Sequence, residues 1–170
     1  GQGHIPVLNA LLGNETFWNT YINRWADLGN TAFTCTNMHA VLDSMVGVIA
    51  PEMDRQCVRW GGNVAGWQAK LQELRDFIDT RCEDEVVGGM EDCYDVVPVN
   101  LTLDIVGLGE VEVNTVDITP AMAPYEAWYF ENVPIALEAE EAFGVAFLYW
   151  EVVSGAVTIA DVTDPVLPLT

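Results

Sequence analysis

The sequence predicts an α+β fold in two parts, a helical bundle or hairpin over residues 1–96 followed by an antiparallel Ig-like β-sandwich over residues 97–170. Three observations predict it. Apolar residues recur at helical spacing in the first half and alternate strictly after Pro98. All six basic residues (Arg24, Arg55, Arg59, Lys70, Arg75, Arg81) lie before residue 82, and all four cysteines (Cys35, Cys57, Cys82, Cys93) lie before Tyr94. Helix period, positive charge and cysteines stop together, which sets the boundary.

The segment ETFWNTYINRWADLGN places Phe17, Tyr21, Trp25 and Leu28 on one helical face and predicts a helix ending near Gly29 or Asn30. The next segment, TNMHAVLDSMVGVIAPEMDRQCVRW, has Thr36 and Asn37 as capping candidates and a stripe of Met38, Val41, Leu42, Met45 and Ile49. Pro51 lacks the donor a helix interior needs, so a break is expected there. Gly61-Gly62-Asn63 turns the chain into a third helix striped by Val64, Trp67, Leu71, Leu74 and Ile78, with Lys70, Glu73 and Asp79 solvated. VVGGMEDC reads as a short loop. Beyond it VNLTLDIV, EVEVNTVDI and PIALEAEEA alternate as half-buried strands do. Gly107-Leu108-Gly109 reads as a hairpin turn, and GVAFLYWEVVSG and AVTIADV as two further strands.

A chain of 170 residues buries enough surface to fold without metal or disulfide, and 51% apolar content excludes a disordered polymer. The formal charge of -20, from 26 acids and 6 bases, repels phosphate backbones and anionic headgroups. Nucleic-acid binding and electrostatic membrane association are therefore disfavoured. Solvation in a salty medium accounts for the acidity better than a specific calcium role. No apolar run approaches the roughly 20 residues that span a bilayer, and the first residues lack a basic leader, so an export signal would lie outside this sequence. The cysteines form no C-x-x-C pair and lie far from His4; zinc is not expected.

Taken together, LLGNETFWNTYINRWADLGNTAF, LDSMVGVIAPEMDRQCVRWGG and the W-x6-LRDFIDTRC segment resemble the C-terminal helical part of the spore-coat CotH family of atypical protein kinases. The resemblance covers about residues 4 to 87 and rests on the order of YINRWADL, APEM-x-R, RWGG and LRDFI. The second half is similar to β-sandwich repeats that follow such regions in large secreted bacterial proteins, through G-x-V-x-V-N, Y-F-x-x-V-P-x-x-L-x-A and G-x-x-F-x-x-W. The resemblance implies that the kinase's nucleotide-gripping lysine and metal-binding acids lie upstream of these helices. No glycine-rich phosphate loop, D-F-G or H-R-D element occurs in the sequence. Both ends read as cuts in a longer protein.

Other constellations have plainer readings. Cys35, His39 and Asp43 sit four residues apart and can be drawn as a Cys–His–Asp arrangement, but no oxyanion donors accompany them. Arg55 and Arg59, at i and i+4 beside Trp60, suit a phosphate or a ring, while pairing with nearby acids is the commoner use. Glu138, Glu140, Glu141, Glu151, Asp161 and Asp164 offer calcium oxygens without a gathering loop, and a solvated face is the better reading. Trp128, Tyr129, Phe130, Tyr149 and Trp150 suit a carbohydrate platform, but alternation sends about half of them into the core.

For the cysteines, a helical hairpin turning at Gly61-Gly62 puts Cys57 near the turn and Cys82 at the far end. Their levels differ by roughly 20 Å, which disfavours a bridge. Cys82 is expected to pair with Cys35 or with Cys93, and Cys57 to stay a thiol. No catalytic, cofactor or metal residue is expected in this chain. The leading functional expectation is a non-catalytic scaffold portion of a secreted, CotH-like bacterial protein, located extracellularly or at the cell surface. Its partner would be the rest of a longer chain or another extracellular protein. With an upstream lobe the whole would transfer phosphate from ATP. The alternative is an extracellular structural or adhesive subunit that assembles into cell-surface polymers.

Overall fold

The computed structural model describes residues 6–169. Among these, six helices precede six strands, an α+β chain in two parts. Contacts divide it into two compact units, Leu28–Val96 and the residues up to Asp27 together with those from Val97 onward. Periodicity alone separates 1–96 from 97–170; by contacts, the described residues up to Asp27 group with the strands. His4 lies outside the described residues.

Helix α1 spans Pro6–Leu12 and α2 spans Glu15–Asn30, with Asn14 Oδ1 accepting the Phe17 N–H at 3.0 Å. Helix α3 spans Cys35–Ile49. Its cap is Thr34, not the expected Thr36 or Asn37; Asn37 gives its N–H to Thr34 Oγ1 and its side-chain amide to the Ala32 carbonyl at 2.8 Å. A 3₁₀ turn at Ala50–Glu52 carries Pro51 and leads into α4, Met53–Trp60, so the break falls where the missing donor requires it. Gly61 and Gly62 take φ of 87° and 99°, a region open to glycine, and Asn63 caps α5, Val64–Thr80, by accepting the Gly66 N–H at 2.7 Å. The expected loop VVGGMEDC is instead helical. A π-helical turn at Arg81–Glu85 runs into α6, Val86–Tyr94, which buries Val86 and Met90 four residues apart. Burying those two side chains, worth about 1.5–3 kcal/mol each, offsets the helix cost of about 1 kcal/mol at each of Gly88 and Gly89.

In the second unit Ile22, Ala26 and Asp27 of α2 are fully buried. Strands β1 (Pro98–Leu103) and β4 (Tyr125–Phe130) form one antiparallel pair. Strands β2 (Glu110–Val113), β3 (Val116–Ile118), β5 (Ile135–Glu140) and β6 (Val166–Leu169) form a second antiparallel sheet in the order β3-β2-β5-β6. Inward residues alternate as the sequence requires: Val111, Val113, Val116, Ile118, Ile135 and Leu137 are buried.

Two strand expectations fail. Gly107-Leu108-Gly109 is no hairpin turn, because β1 pairs with β4 and the chain leaves one sheet for the other there. Gly109 passes so close to β5 that a Cβ would lie 2.7 Å from the Glu140 carbonyl oxygen. The tight turn is Asn114-Thr115 between β2 and β3, with Asn114 at φ 53°. GVAFLYWEVVSG and AVTIADV form no strands either. Strand β6 takes the place beside β5, and alternation without a neighbouring ladder leaves backbone groups unpaired. Scattered bonds hold this stretch: Glu141 accepts the Phe147 N–H, the Trp150 N–H meets the Val162 carbonyl at 2.8 Å, and the Trp150 indole donates to the Asp164 carbonyl at 2.8 Å.

Candidate functional site

Three cross-links stand one turn apart between α3 and α5. Cys35 is disulfide-bonded to Cys82 with Cα atoms 5.2 Å apart, His39 Nε2 lies 2.5 Å from Asp79 Oδ1, and Asp43 accepts from Arg75. Positions 35, 39 and 43 share one helix face, and their partners descend from 82 to 79 to 75, so the helices run antiparallel. The Cys35–His39–Asp43 arrangement is thereby taken apart. Cys35 has no thiol to deprotonate, and His39 and Asp43 each turn to a different residue of α5. His39 Nδ1 is buried without a partner among the described residues. Asp79, read from the sequence as solvated, is half-buried in this ladder. The signal was present: 75, 79 and 82 mirror 35, 39 and 43 across the Gly61-Gly62 turn.

Of the two expected pairings for Cys82, the one with Cys35 forms. Cys93 is an exposed free thiol on α6, and Cys57 is a half-buried free thiol on α4. Cys93 does not return to Cys82 because the connecting residues coil into helix.

A second polar cluster lies within the β unit. The Asp27 carboxylate, 1% exposed, accepts from Thr115 Oγ1 at 2.7 Å and Tyr129 Oη at 3.2 Å, with Asn114 Nδ2 at 3.5 Å. Arg24 donates to Thr115 at 2.7 Å, and Asn23 donates to the Pro134 carbonyl at 2.7 Å. Burial, then the nearby Tyr125 and Asp27 charges, push the Tyr129 phenol far above the usual tyrosine value. Burial raises Tyr125 as well. Asp27 therefore anchors α2 to the β2–β3 turn and to β4, which is structural work. It escaped sequence reasoning because an acid in a helix of an acidic chain looks solvated.

The remaining groups are dispersed. Arg55 pairs with Glu52 at 3.0 Å, whereas the Arg59 guanidinium lies 5.2 Å from the Trp60 ring centre. Glu138 and Glu140 are exposed on β5; Asp161 accepts from Thr163, which holds its carboxyl below the usual range, and Asp164 accepts from the Val166 N–H. No group of three or more His, Cys, Asp or Glu that could hold a metal ion occurs among the described residues. Tyr129 and Phe130 are buried, Trp128 packs edge-on to Phe130 at 5.5 Å, and Tyr149 is exposed, so these rings form no single platform. No described helix is long and apolar enough to cross a membrane.

What these residues define is an antiparallel helix pair tied by a disulfide in one unit and antiparallel sheets in the other. Residues 2–83 match the family model described as CotH kinase protein, so the helical part of the chain is similar to that family. No curated protein and no solved structure matches the chain.

Proposed function

We propose that this chain is the non-catalytic scaffold portion of a secreted, CotH-like bacterial protein. Its helices prop or complete a kinase-like lobe, and its strands serve as spacer or docking module. The observation that carries this reading is α3. Its 15 residues include one carboxylate and no buried residue, and Val41, Met45 and Val48 point outward. Away from the face that carries His39 and Asp43, α3 leaves apolar side chains open, and such a face needs a second body to cover it. Helices α4 and α5 likewise bury no residue. The Cys35–Cys82 bond suits an oxidising, extracytoplasmic compartment.

The test is phosphate transfer from labelled ATP with magnesium or manganese. The 170-residue chain alone is expected to transfer none, and a longer polypeptide that includes an upstream lobe to be active. Transfer by the chain alone would overturn the scaffold reading.

One observation favours the alternative, a polymerising structural subunit. Between Ala142 and Ala160 only Glu151 is charged, and Phe143, Leu148 and Val153 are exposed. Such a segment beside open sheet edges is a route to strand addition. Ordered polymers of the purified chain in electron micrographs would support it; a monomer at all concentrations would remove it.

A further inference from the structure

We propose that the C-terminal end of α4 is a binding site for a short acidic polypeptide segment, gripped by Arg55 and Arg59 and laid against Trp60. An open surface recess lies there, lined by the exposed Glu52, Arg55, Gln56, Arg59 and Trp60.

Charge singles the place out. In a chain of 26 acids and 6 bases, every cation has acids to choose from. Arg55, Lys70, Arg75 and Arg81 each have a carboxylate within 4 Å, and Arg24 donates to Thr115. Arg59 has no carboxylate partner among the described residues; it faces the Trp60 ring instead. That contact holds the guanidinium over an indole that is itself 69% exposed, beside Val58 at 89%. Arginine and tryptophan exposed together are the residue types that dominate protein interfaces.

The occupant follows from the chemistry. A guanidinium presents paired donors that match a carboxylate's two oxygens, and Arg55 and Arg59 are neighbours one turn apart. The Arg55–Glu52 pair is exposed on both sides, so an incoming carboxylate can displace Glu52 at little cost. The open indole and Val58 take an aromatic or aliphatic side chain of the same segment. A long polyanion would have to cross the strongly acidic remainder of the chain, so a short segment is favoured over nucleic acid.

Titration calorimetry of the full chain with the synthetic peptide Glu-Glu-Tyr-Glu-Glu, at low salt, tests this. Saturable one-to-one binding is expected, weakened about ten-fold by Arg59→Gln and partly retained by Arg59→Lys. Glu52→Gln should tighten it by freeing Arg55. Glu126→Gln, on exposed β4 sequence, makes the same change in net charge and should leave affinity unaltered. All three side chains, Glu52, Arg59 and Glu126, are exposed, and circular dichroism checks that the variants fold. Absence of saturable binding, equal binding of a Gln-for-Glu peptide, or equal effects of Glu52→Gln and Glu126→Gln would each overturn the proposal. A phosphoserine peptide binding more than about ten-fold tighter would overturn the carboxylate assignment. Peptide-free dimerisation abolished by Arg59→Gln would overturn it in favour of a second copy of the chain.

Discussion

At the scale of single residues, Asp27 is the position with the largest expected consequence. Asp27→Ala removes the acceptor shared by Thr115 and Tyr129 and takes that partner from the buried Tyr129 hydroxyl. The expected loss is about 2–3 kcal/mol in urea unfolding. Tyr129 gives a separate alkaline signature. Its phenol is held neutral in the fold and ionises near 10 when unfolded, so its contribution is complete below pH 10 and is lost as pH rises above that. Stability measured from about pH 8 to 11.5 should fall above pH 10 in the parent and less steeply in Tyr129→Phe; equal slopes would remove Tyr129 as the cause. Sequence reasoning reached the apolar residues here and missed the polar ones. Periodicity marks which face is buried, whereas the partner of a buried acid lies 88 or 102 positions away and leaves no local trace.

Among the elements, the helical hairpin was legible because Pro51, Gly61-Gly62 and the two apolar stripes each impose one geometry. The strands were legible only in part. Alternation identified β1 and β5 and read EVEVNTVDI as one strand where β2 turns back into β3, because pairing is non-local; the glycines at 107 and 109 mark a passage between sheets, not a turn. Two predictions belong here. The closed segment from Cys35 to Cys82 spans 47 positions, and opening it by Cys82→Ser should cost about 4 kcal/mol in chain entropy. Hydrogen exchange should then accelerate through α3 and α5 while β2 and β5 stay protected; unchanged α3 protection would contradict this. In the second sheet, Asp117, Glu112 and Glu138 stand opposite one another across β3, β2 and β5. Like charges directly opposed destabilise a ladder, so Glu112→Gln should raise stability by about 0.5–1 kcal/mol, most at low salt.

For the molecule as a whole, the charge of -20 acts against compactness. Raising salt from about 0.01 M to 0.15 M shortens the screening length from roughly 30 Å to 8 Å, and the melting temperature should rise by a few degrees. A flat response would show that the acids are spaced widely enough not to interact. The residues between Glu141 and Asp164, without strand pairing, should be cut first by a glutamate-specific protease, at Glu141 or Glu151, ahead of sites within the sheets. The fold class could be read from composition, because charge and period shift together near residue 96. That the described residues up to Asp27 group with the strands could not, since an amphipathic helix names its apolar face and not the surface that covers it. The Cys35–Cys82 bond, finally, sets how far this chain can be stretched. Under tension the force passes from residue 35 to residue 82 through the sulfurs, and the residues between carry no load. Those 47 steps correspond to roughly 160 Å of extended chain at about 3.4 Å each. Pulled from its ends, the oxidised protein should yield that much less length than the reduced one, an inextensible link in an otherwise compliant tether.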